Sequence, residues 1–169
     1  MGWKTTQGLR GELLEEMINM TNEKYIANGL AIVQKIPTPI KPVTIEGAKI
    51  TLAYFEQKST VDYLGIVQGI GVCFDAKECN QDRFPLKNIH QHQMDFMKQV
   101  EKQEGVSFFV IYFKTIDATY YVPYTFVASI WDTKKSFNYK ELDSKYILKS
   151  KNGLLIPYLD GIQTYLASI

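Results

Sequence analysis

The order of elements along the chain predicts an α/β protein, a three-layer domain with helices flanking a mixed central sheet. Two observations predict this class. Apolar residues recur at helical spacing in two separate segments, and short stretches typical of strands lie between and after them. The 169 residues, 46% of them hydrophobic, are enough for one domain with a sizeable core. We therefore expect residues 1–169 to form a single domain.

The N-terminal half is expected to hold one helix and two hairpins. Residues 8–27 carry apolar side chains at helical spacing, and Asn28-Gly29 is a typical helix end. Loose alternation around Gly47 predicts a projecting hairpin, the arm, within about residues 39–58. Further strands are expected at 30–33, 63–66 and 71–76.

The C-terminal half is expected to add two helices and two strands. A helix is predicted over about 88–104, because apolar residues mark one face and Gly105 follows. Strands are expected at 106–113 and 119–122, and a short helix at 124–131. We expect Arg83-Phe84-Pro85 to lie in a loop and the Lys-rich remainder of the chain to be irregular.

Composition excludes several classes of protein. The formal net charge is +1, so a nucleic-acid role would have to rest on local basic patches. The longest apolar stretches run to about eight residues, well short of the roughly 20 that a membrane helix needs. The N-terminus lacks the apolar segment of a signal peptide. These features indicate a cytoplasmic protein without membrane association.

Cysteines and histidines give no zinc signature. Cys73 and Cys79 match neither a disulfide framework nor paired zinc ligands, so both are interpreted as reduced structural thiols. His90 and His92 are two residues apart, a spacing unsuited to a metal pair on a helix. We interpret them as solvated or helix-capping residues.

The residues most suggestive of chemistry lie around the second hairpin. Asp62 begins one strand, and Asp75 and Lys77 lie two apart on the next, so all three can project from one sheet edge. Two carboxylates meeting there repel unless a cation lies between them, and Mg²⁺ or Mn²⁺ suits such oxygen ligands. With a lysine alongside, this layout fits phosphodiester hydrolysis. On spacing alone, solvated charges on the outer face of a hairpin are the favoured interpretation, because any such hairpin reproduces this pattern.

Two further groups of residues allow alternative interpretations. Glu15 is either a solvated carboxylate of the first helix or part of the site. Four aromatic residues could form a base-stacking platform, although packing in the core or an interface is the default interpretation: Tyr120, Tyr121, Tyr124 and Phe126.

A family resemblance extends over almost the whole chain. It is carried by Arg10-Gly11-x-x-Leu14-Glu15-Glu16, Lys35-x-Pro37-Thr38-Pro39-Ile40, Ala53-Tyr54-Phe55, Ser59-Thr60-x-Asp62-Tyr63, Phe74-x-Ala76-Lys77-Glu78, Phe84-Pro85-Leu86-Lys87-Asn88 and His92-Gln93-x-x-x-Met97-Lys98-Gln99-Val100. These runs resemble the RecU family of Holliday junction resolvases. The resemblance implies a restriction-endonuclease-like fold with a hairpin stalk. It also implies a homodimer that uses Mg²⁺ or Mn²⁺ to nick two symmetry-related strands of four-way DNA junctions in recombination and repair, with a RecA-type recombinase as a further partner.

The resemblance also assigns roles to individual residues. Around the metal it places Thr60, Asp62, Asp75 and Gln93. It assigns transition-state stabilisation to Lys77 and, more loosely, a catalytic carboxylate to Glu15. Arg10 resembles the family's N-terminal arginine and is expected to contact a phosphate. Further candidate DNA-binding residues are Lys41, Lys49, Lys58, Arg83 and Lys87.

The chain departs from the family pattern in three places, and two other functions stay open. Asp75 stands where relatives usually have Glu, only nine residues precede Arg10-Gly11, and the arm is several residues short. We expect activity to survive the change at Asp75, with DNA affinity relying more on the body of the protein.

The alternatives are a non-cleaving branched-DNA-binding or recombinase-modulating protein and a different structure-specific nuclease of the same fold.

Overall fold

The computed structural model describes residues 8–55 and 60–169, with the backbone alone for residues 8–12 and 55. The helices are α1 (Gly8–Ala27), α2 (Gln91–Lys102), α3 (Tyr124–Ile130) and α4 (Tyr158–Leu166). The strands are β1 (Ala31–Lys35), β2 (Ile40–Glu46), β3 (Lys49–Phe55), β4 (Tyr63–Val67), β5 (Ile70–Cys79), β6 (Arg83–Pro85), β7 (Val106–Phe113), β8 (Ala118–Pro123) and β9 (Ser136–Asn138).

The main sheet is mixed and has five strands in the order β1-β4-β5-β7-β8. The β4–β5 hairpin pairs Tyr63 with Phe74, and β5 runs parallel to β7 through the crossover helix α2. The other neighbouring pairs are antiparallel. Central strand β7 is almost continuously apolar, as expected of a strand covered on both faces.

Helices cover both faces of this sheet and confirm the predicted three-layer α/β class. On one face, α1 and α4 enclose a core in which Phe74, Phe108 and Tyr158 are fully buried. On the other face, α2 and α3 pack over a second core that contains Met97 and Phe109. Because side chains alternate along a strand, β5 sends Phe74 to the first core and Asp75 to the α2 side.

The arm is a separate antiparallel pair of strands, β2 and β3, joined at Gly47. Gly47 has φ +61°, a conformation that glycine adopts without steric cost. The side chains of residues 40–54 are exposed. The predicted hairpin is therefore present, and its use as a projecting stalk stays a prediction.

Several predicted elements have different bounds in the structure, including β5, which is Ile70–Cys79 instead of 71–76. The first strand is Ala31–Lys35 instead of 30–33. The helix predicted over 88–104 is Gln91–Lys102, because Leu86–Asn88 form a short 3-10 turn and His90 is extended at the N-cap. The expected capping position for His90 is thus observed, and its ring stacks on His92 with 5.4 Å between centroids.

The expectation of an irregular tail and an Arg83-Phe84-Pro85 loop is wrong. The loop is β6, which pairs with β9 of the supposed tail. The tail also contains α4, whose inward face belongs to the first core. Helix α1 holds this segment through three long-range hydrogen bonds: Ile156 N–H donates to Thr21 Oγ1 at 3.1 Å, the Tyr158 hydroxyl donates to Asn22 Oδ1 at 2.5 Å, and Lys24 Nζ donates to the Gly153 carbonyl.

The default interpretations of the cysteines and aromatic residues agree with the structure. Cys73 and Cys79 are buried free thiols, and burial raises the pKa of the Cys73 thiol to about 12. Tyr120 and Tyr121 are buried in the two cores. Across the described residues, no helix combines the length and the apolar character needed to cross a membrane.

Candidate active site

Two carboxylates meet at one end of the β4–β5 hairpin. Asp62 immediately precedes β4, whose first residue, Tyr63, pairs with Phe74. Continuing that register places Asp62 opposite Asp75. The Asp62 N–H donates to Asp75 Oδ1 at 2.7 Å, and the Ala76 N–H donates to Asp62 Oδ2 at 3.0 Å. Each carboxylate is therefore held by main chain from the opposite side of the hairpin.

A lysine from the same strand compensates the charge of the inner carboxylate. Lys77 Nζ lies 2.8 Å from Asp75 Oδ2, and the Asp75 side chain is 0% exposed. Burial, followed by the negative charge of Asp75, raises the pKa of the Asp62 carboxyl, whereas Lys77 acts in the opposite direction. The two carboxylates repel each other, and this repulsion favours a bound cation.

Gln93 from the first turn of α2 completes the cluster. Its Oε1 accepts a hydrogen bond from the His90 N–H at 2.9 Å, which satisfies one of the free donors at the helix start. Its Nε2 donates to Asp75 Oδ2. These two bonds define the orientation of the amide, so Gln93 couples the start of α2 directly to Asp75.

Thr60 and Glu15 belong to chain segments that adjoin this cluster. Thr60 is exposed two residues before Asp62. The Glu15 carboxylate forms an ion pair with Lys35, and its carbonyl accepts a hydrogen bond from the Tyr63 hydroxyl at 3.1 Å. The charge of Lys35, like that of Lys77, opposes the rise in the pKa of Asp62 that burial and Asp75 cause.

Lys35 is a site-edge residue that the sequence analysis did not single out. It belongs to one of the runs carrying the family resemblance, at the end of β1. The Ile36 N–H, one residue later, donates to the Asp62 carbonyl at 2.8 Å, so β1 and the site are in contact. Lys35 could have been predicted as a site residue, because it is a lysine at the end of a strand that adjoins the predicted acidic site.

The predicted DNA-binding residues occupy several surfaces. Lys41 and Lys49 are exposed on the arm, opposite Tyr54 and Glu46 respectively. Arg83 is exposed on β6 and donates to Ser136 Oγ at 3.2 Å, and Lys87 is exposed in the following 3-10 turn. Lys58 and the side chain of Arg10 lie outside the described residues.

The donor set suits a hard divalent cation better than zinc. The described part of the chain has no group of three or more His, Cys, Asp and Glu side chains placed to hold a metal. Asp62 and Asp75 instead offer carboxylate oxygens, while Gln93 turns its Nε2 towards Asp75 and its Oε1 towards the His90 N–H. Mg²⁺ characteristically takes one or two carboxylates and keeps waters or phosphate oxygens. The repulsion between the buried Asp75 carboxylate and the half-buried Asp62 carboxylate gives such an ion a favourable position.

The fold and the cluster together define a three-layer α/β protein with an acidic, cation-compatible centre at the end of a central hairpin. The family model of "Recombination protein U" matches residues 9–164. The "Holliday junction resolvase RecU" of Oenococcus oeni is 43% identical over 162 residues, which cover 90% of this chain and 82% of that protein. The protein of the same name from Staphylococcus carnosus is 40% identical, covering 92% and 76% respectively. The chain belongs to the Recombination protein U family.

Proposed function

We propose that this chain is a Holliday junction resolvase, a metal-dependent endonuclease that nicks two symmetry-related strands of a four-way DNA junction during recombination and repair. Family membership supports the junction substrate, since the similar proteins carry that name. The observation that carries the chemistry is the convergence of Asp62, Lys77 and Gln93 on the buried carboxylate of Asp75.

We assign the metal ligands to the acidic cluster. Asp62 and Asp75 supply carboxylate oxygens, and Thr60 and Gln93 are the further ligands. Gln93 would ligate the ion through Oε1 once its amide turns over, because Nε2 is the atom that faces Asp75 in the structure. Mg²⁺ or Mn²⁺ bound there would polarise the scissile phosphate and stabilise the departing oxygen.

The remaining chemistry falls to side chains of this protein. Lys77 is held at 2.8 Å from Asp75, so its ammonium is positioned to orient the attacking water and to offset negative charge that develops on the phosphate. Main-chain hydrogen bonds keep the two aspartates in place and reduce the reorganisation needed at the transition state. Glu15, at the edge of the site beside Lys35, is proposed as an additional catalytic carboxylate.

A two-fold junction matches a two-fold protein, so we propose a homodimer with one nick per active site. Basic residues of the arm and of β6, together with Arg10, would contact phosphates and read branch shape before sequence. A cytoplasmic location and a RecA-type recombinase partner complete the proposal.

The decisive experiment is cleavage of a synthetic mobile four-way junction with and without Mg²⁺ or Mn²⁺. Wild-type protein should give paired symmetric nicks only with metal, and Asp75→Asn should reduce the rate by at least ~100-fold, the scale for losing one preorganised electrostatic group. Asp62→Ala and Lys77→Ala should likewise remove cutting. Asp160→Asn, which removes a surface carboxylate on α4, is the matched control and should cut normally.

Binding measured in EDTA separates chemistry from recognition. All the site variants should retain junction binding, and parallel loss of binding and cutting would contradict their assigned roles. Tight binding without cutting under any divalent ion would indicate a non-cleaving junction-binding protein. Equal cutting of flaps or linear duplex would indicate another structure-specific nuclease.

A further inference from the structure

A surface depression beside the candidate active site is lined by three lysines. It has a volume of about 350 Å³ and lies between the 3-10 turn after β6 and the turn after α3. We call it the lysine pocket, and its lining residues are Leu86, Lys87, Ile89, Trp131, Lys134 and Lys135. No carboxylate is among these lining residues. The lysine pocket therefore presents positive charge around an apolar floor.

The backbone around the lysine pocket is held by regular interactions. The Leu86 N–H donates to the Lys135 carbonyl at 2.9 Å, which extends the pairing of β6 with β9. The Lys134 N–H donates to the Ile130 carbonyl at 2.9 Å, and Leu86 and Ile89 are buried. The lysines thus project from a backbone that is already ordered, so binding a ligand would cost little backbone entropy.

Two of the three lysines carry uncompensated charge. Lys134 pairs with Glu141 at 2.5 Å, and Glu141 also lies 3.8 Å from Arg83. Lys87 and Lys135 are exposed, and neither forms an ion pair with any residue that the structure describes. These two ammonium groups are available to an anionic ligand.

Trp131 connects the lysine pocket to the candidate active site. Its Nε1 donates to Gln91 Oε1 at 3.1 Å, and Gln91 is the first residue of α2. Gln93, two residues later in the same turn, contacts Asp75. The lysine pocket and the acidic cluster are therefore joined through a single helical turn.

We propose that the lysine pocket binds the sugar-phosphate backbone of the DNA strand whose scissile phosphate lies at Asp75. Lys87 and Lys135 contact phosphate oxygens, and the partly exposed ring of Trp131 packs against a neighbouring sugar or base. Trp131, Lys134 and Lys135 thereby extend the DNA-binding surface beyond Lys87. This inference rests on the proposed nuclease function, because it assigns a role in holding the substrate of that reaction.

The test compares the double variant Lys87→Ala/Lys135→Ala with the charge-matched control Lys98→Ala/Lys102→Ala. The control lysines are exposed further along α2, away from its first turn. Junction affinity is measured in EDTA by fluorescence anisotropy over a range of salt concentrations. Each lost phosphate contact reduces the slope of log K against log salt by roughly 0.9, so the double variant should lose between about 1 and 2 per protomer, or about 2 to 4 for the proposed homodimer on one junction.

The control should keep the wild-type slope. An equal change in both double variants, or none in Lys87→Ala/Lys135→Ala, would overturn the inference. A wild-type protein that neither binds nor cuts junctions would instead contradict the proposed function, so the two failures are distinguishable.

Trp131 provides an independent readout. The chain contains two tryptophans, Trp3 and Trp131, so a Trp3→Phe protein reports on Trp131 alone. Its fluorescence should change when junction DNA is added, and Lys87→Ala/Lys135→Ala in the same background should require more DNA for the same change. An emission spectrum unaffected by saturating DNA would also overturn the inference.

Discussion

Asp62 and Asp75 are locked together through main-chain groups: the Asp62 N–H donates to Asp75 Oδ1 at 2.7 Å, and the N–H following Asp75 donates to Asp62. The geometry of the acidic pair therefore depends on the hairpin register more than on side-chain conformation. A register shift of one residue would turn these side chains to the opposite face and destroy the site.

Lys77→Met is expected to destabilise the protein, because it leaves the buried Asp75 carboxylate without its charged partner. The free energy of unfolding should fall by about 3 kcal/mol or more, the range for breaking one side of a buried ion pair. Urea denaturation in EDTA measures this loss. Mg²⁺ should then stabilise Lys77→Met more than wild type, since the cation neutralises the charge of Asp75 that Lys77 no longer neutralises.

Lys151→Met is the control for that experiment. Lys151 pairs with Asp160 at 2.6 Å where both side chains are about half exposed, so its loss should cost about 0–1 kcal/mol. Equal losses in the two variants would show that the Lys77 pair contributes no more than a surface ion pair.

Gln93→Ala removes two hydrogen bonds at once. Losing the acceptor for the His90 N–H should cost about 1 kcal/mol, and losing the donor to the Asp75 carboxylate about 1.5–3 kcal/mol. Thermal and urea unfolding should therefore show a clear loss of stability. Gln99→Ala, on the exposed side of the same helix, should unfold like wild type. If Gln99→Ala lost as much stability as Gln93→Ala, the effect would come from helix propensity and not from the two hydrogen bonds.

Glu101 gives the stability a pH dependence outside the acidic cluster. Its Oε1 accepts a hydrogen bond from the Ser107 N–H at 2.6 Å, and burial raises the pKa of its carboxyl. Because the pKa of Glu101 is higher in the folded than in the unfolded protein, the folded protein binds more protons in this pH range. Protonation of Glu101 therefore adds to the free energy of unfolding at low pH, and this contribution is lost as pH rises through the folded-state pKa.

Glu101→Gln keeps an acceptor for Ser107 and removes the charge. The variant should gain stability relative to wild type as pH rises from about 4 to 7, measured by urea denaturation at each pH. Glu104→Gln, exposed beyond the end of α2, is the surface control. A constant difference between Glu101→Gln and wild type across this range would contradict the effect of burial.

Gly161→Ala tests the packing of α4 on the sheet. A Cβ at this position would lie 2.5 Å from ring atoms of Tyr121, which is fully buried, so helix or ring must shift. Overpacking of this kind should cost about 1–3 kcal/mol and outweigh the gain in helix propensity. Gly71→Ala on β5 makes the same change in open space and should be tolerated, as calorimetry can show.

Local patterns were sufficient to predict α1, both hairpins and the adjacency of Asp62 and Asp75. These features depend on hydrophobic period, a Gly turn and the alternation of side chains, which are all contained in a few neighbouring residues. The assignment of Gln93 to the site depended instead on the family resemblance. Its orientation towards Asp75 depends on where α2 crosses the sheet, which spacing alone does not specify.

The missed elements have tertiary causes. β6 and β9 are three-residue strands stabilised by each other across about 50 residues, so neither has a periodic signal of its own. Helix α4 did carry a signal, with Tyr158, Ile162 and Tyr165 at helical spacing after Pro157, but its nine residues are surrounded by irregular chain. Glu101 lies on a polar stretch of α2, and its burial comes from the following strand.

The hydrogen bonds between α1 and the C-terminal segment have a consequence for the order of folding. Thr21 bonds Ile156, and Asn22 bonds Tyr158, across 135 and 136 residues respectively, whereas Asp62 and Asp75 are only 13 apart. Closing the short loop loses less chain entropy, so contacts within the β4–β5 hairpin can form early, and joining α1 to α4 is a late, non-local event. During synthesis, the acidic pair can therefore come together before α4 has left the ribosome, while completion of the α1/α4 core must wait for α4 itself.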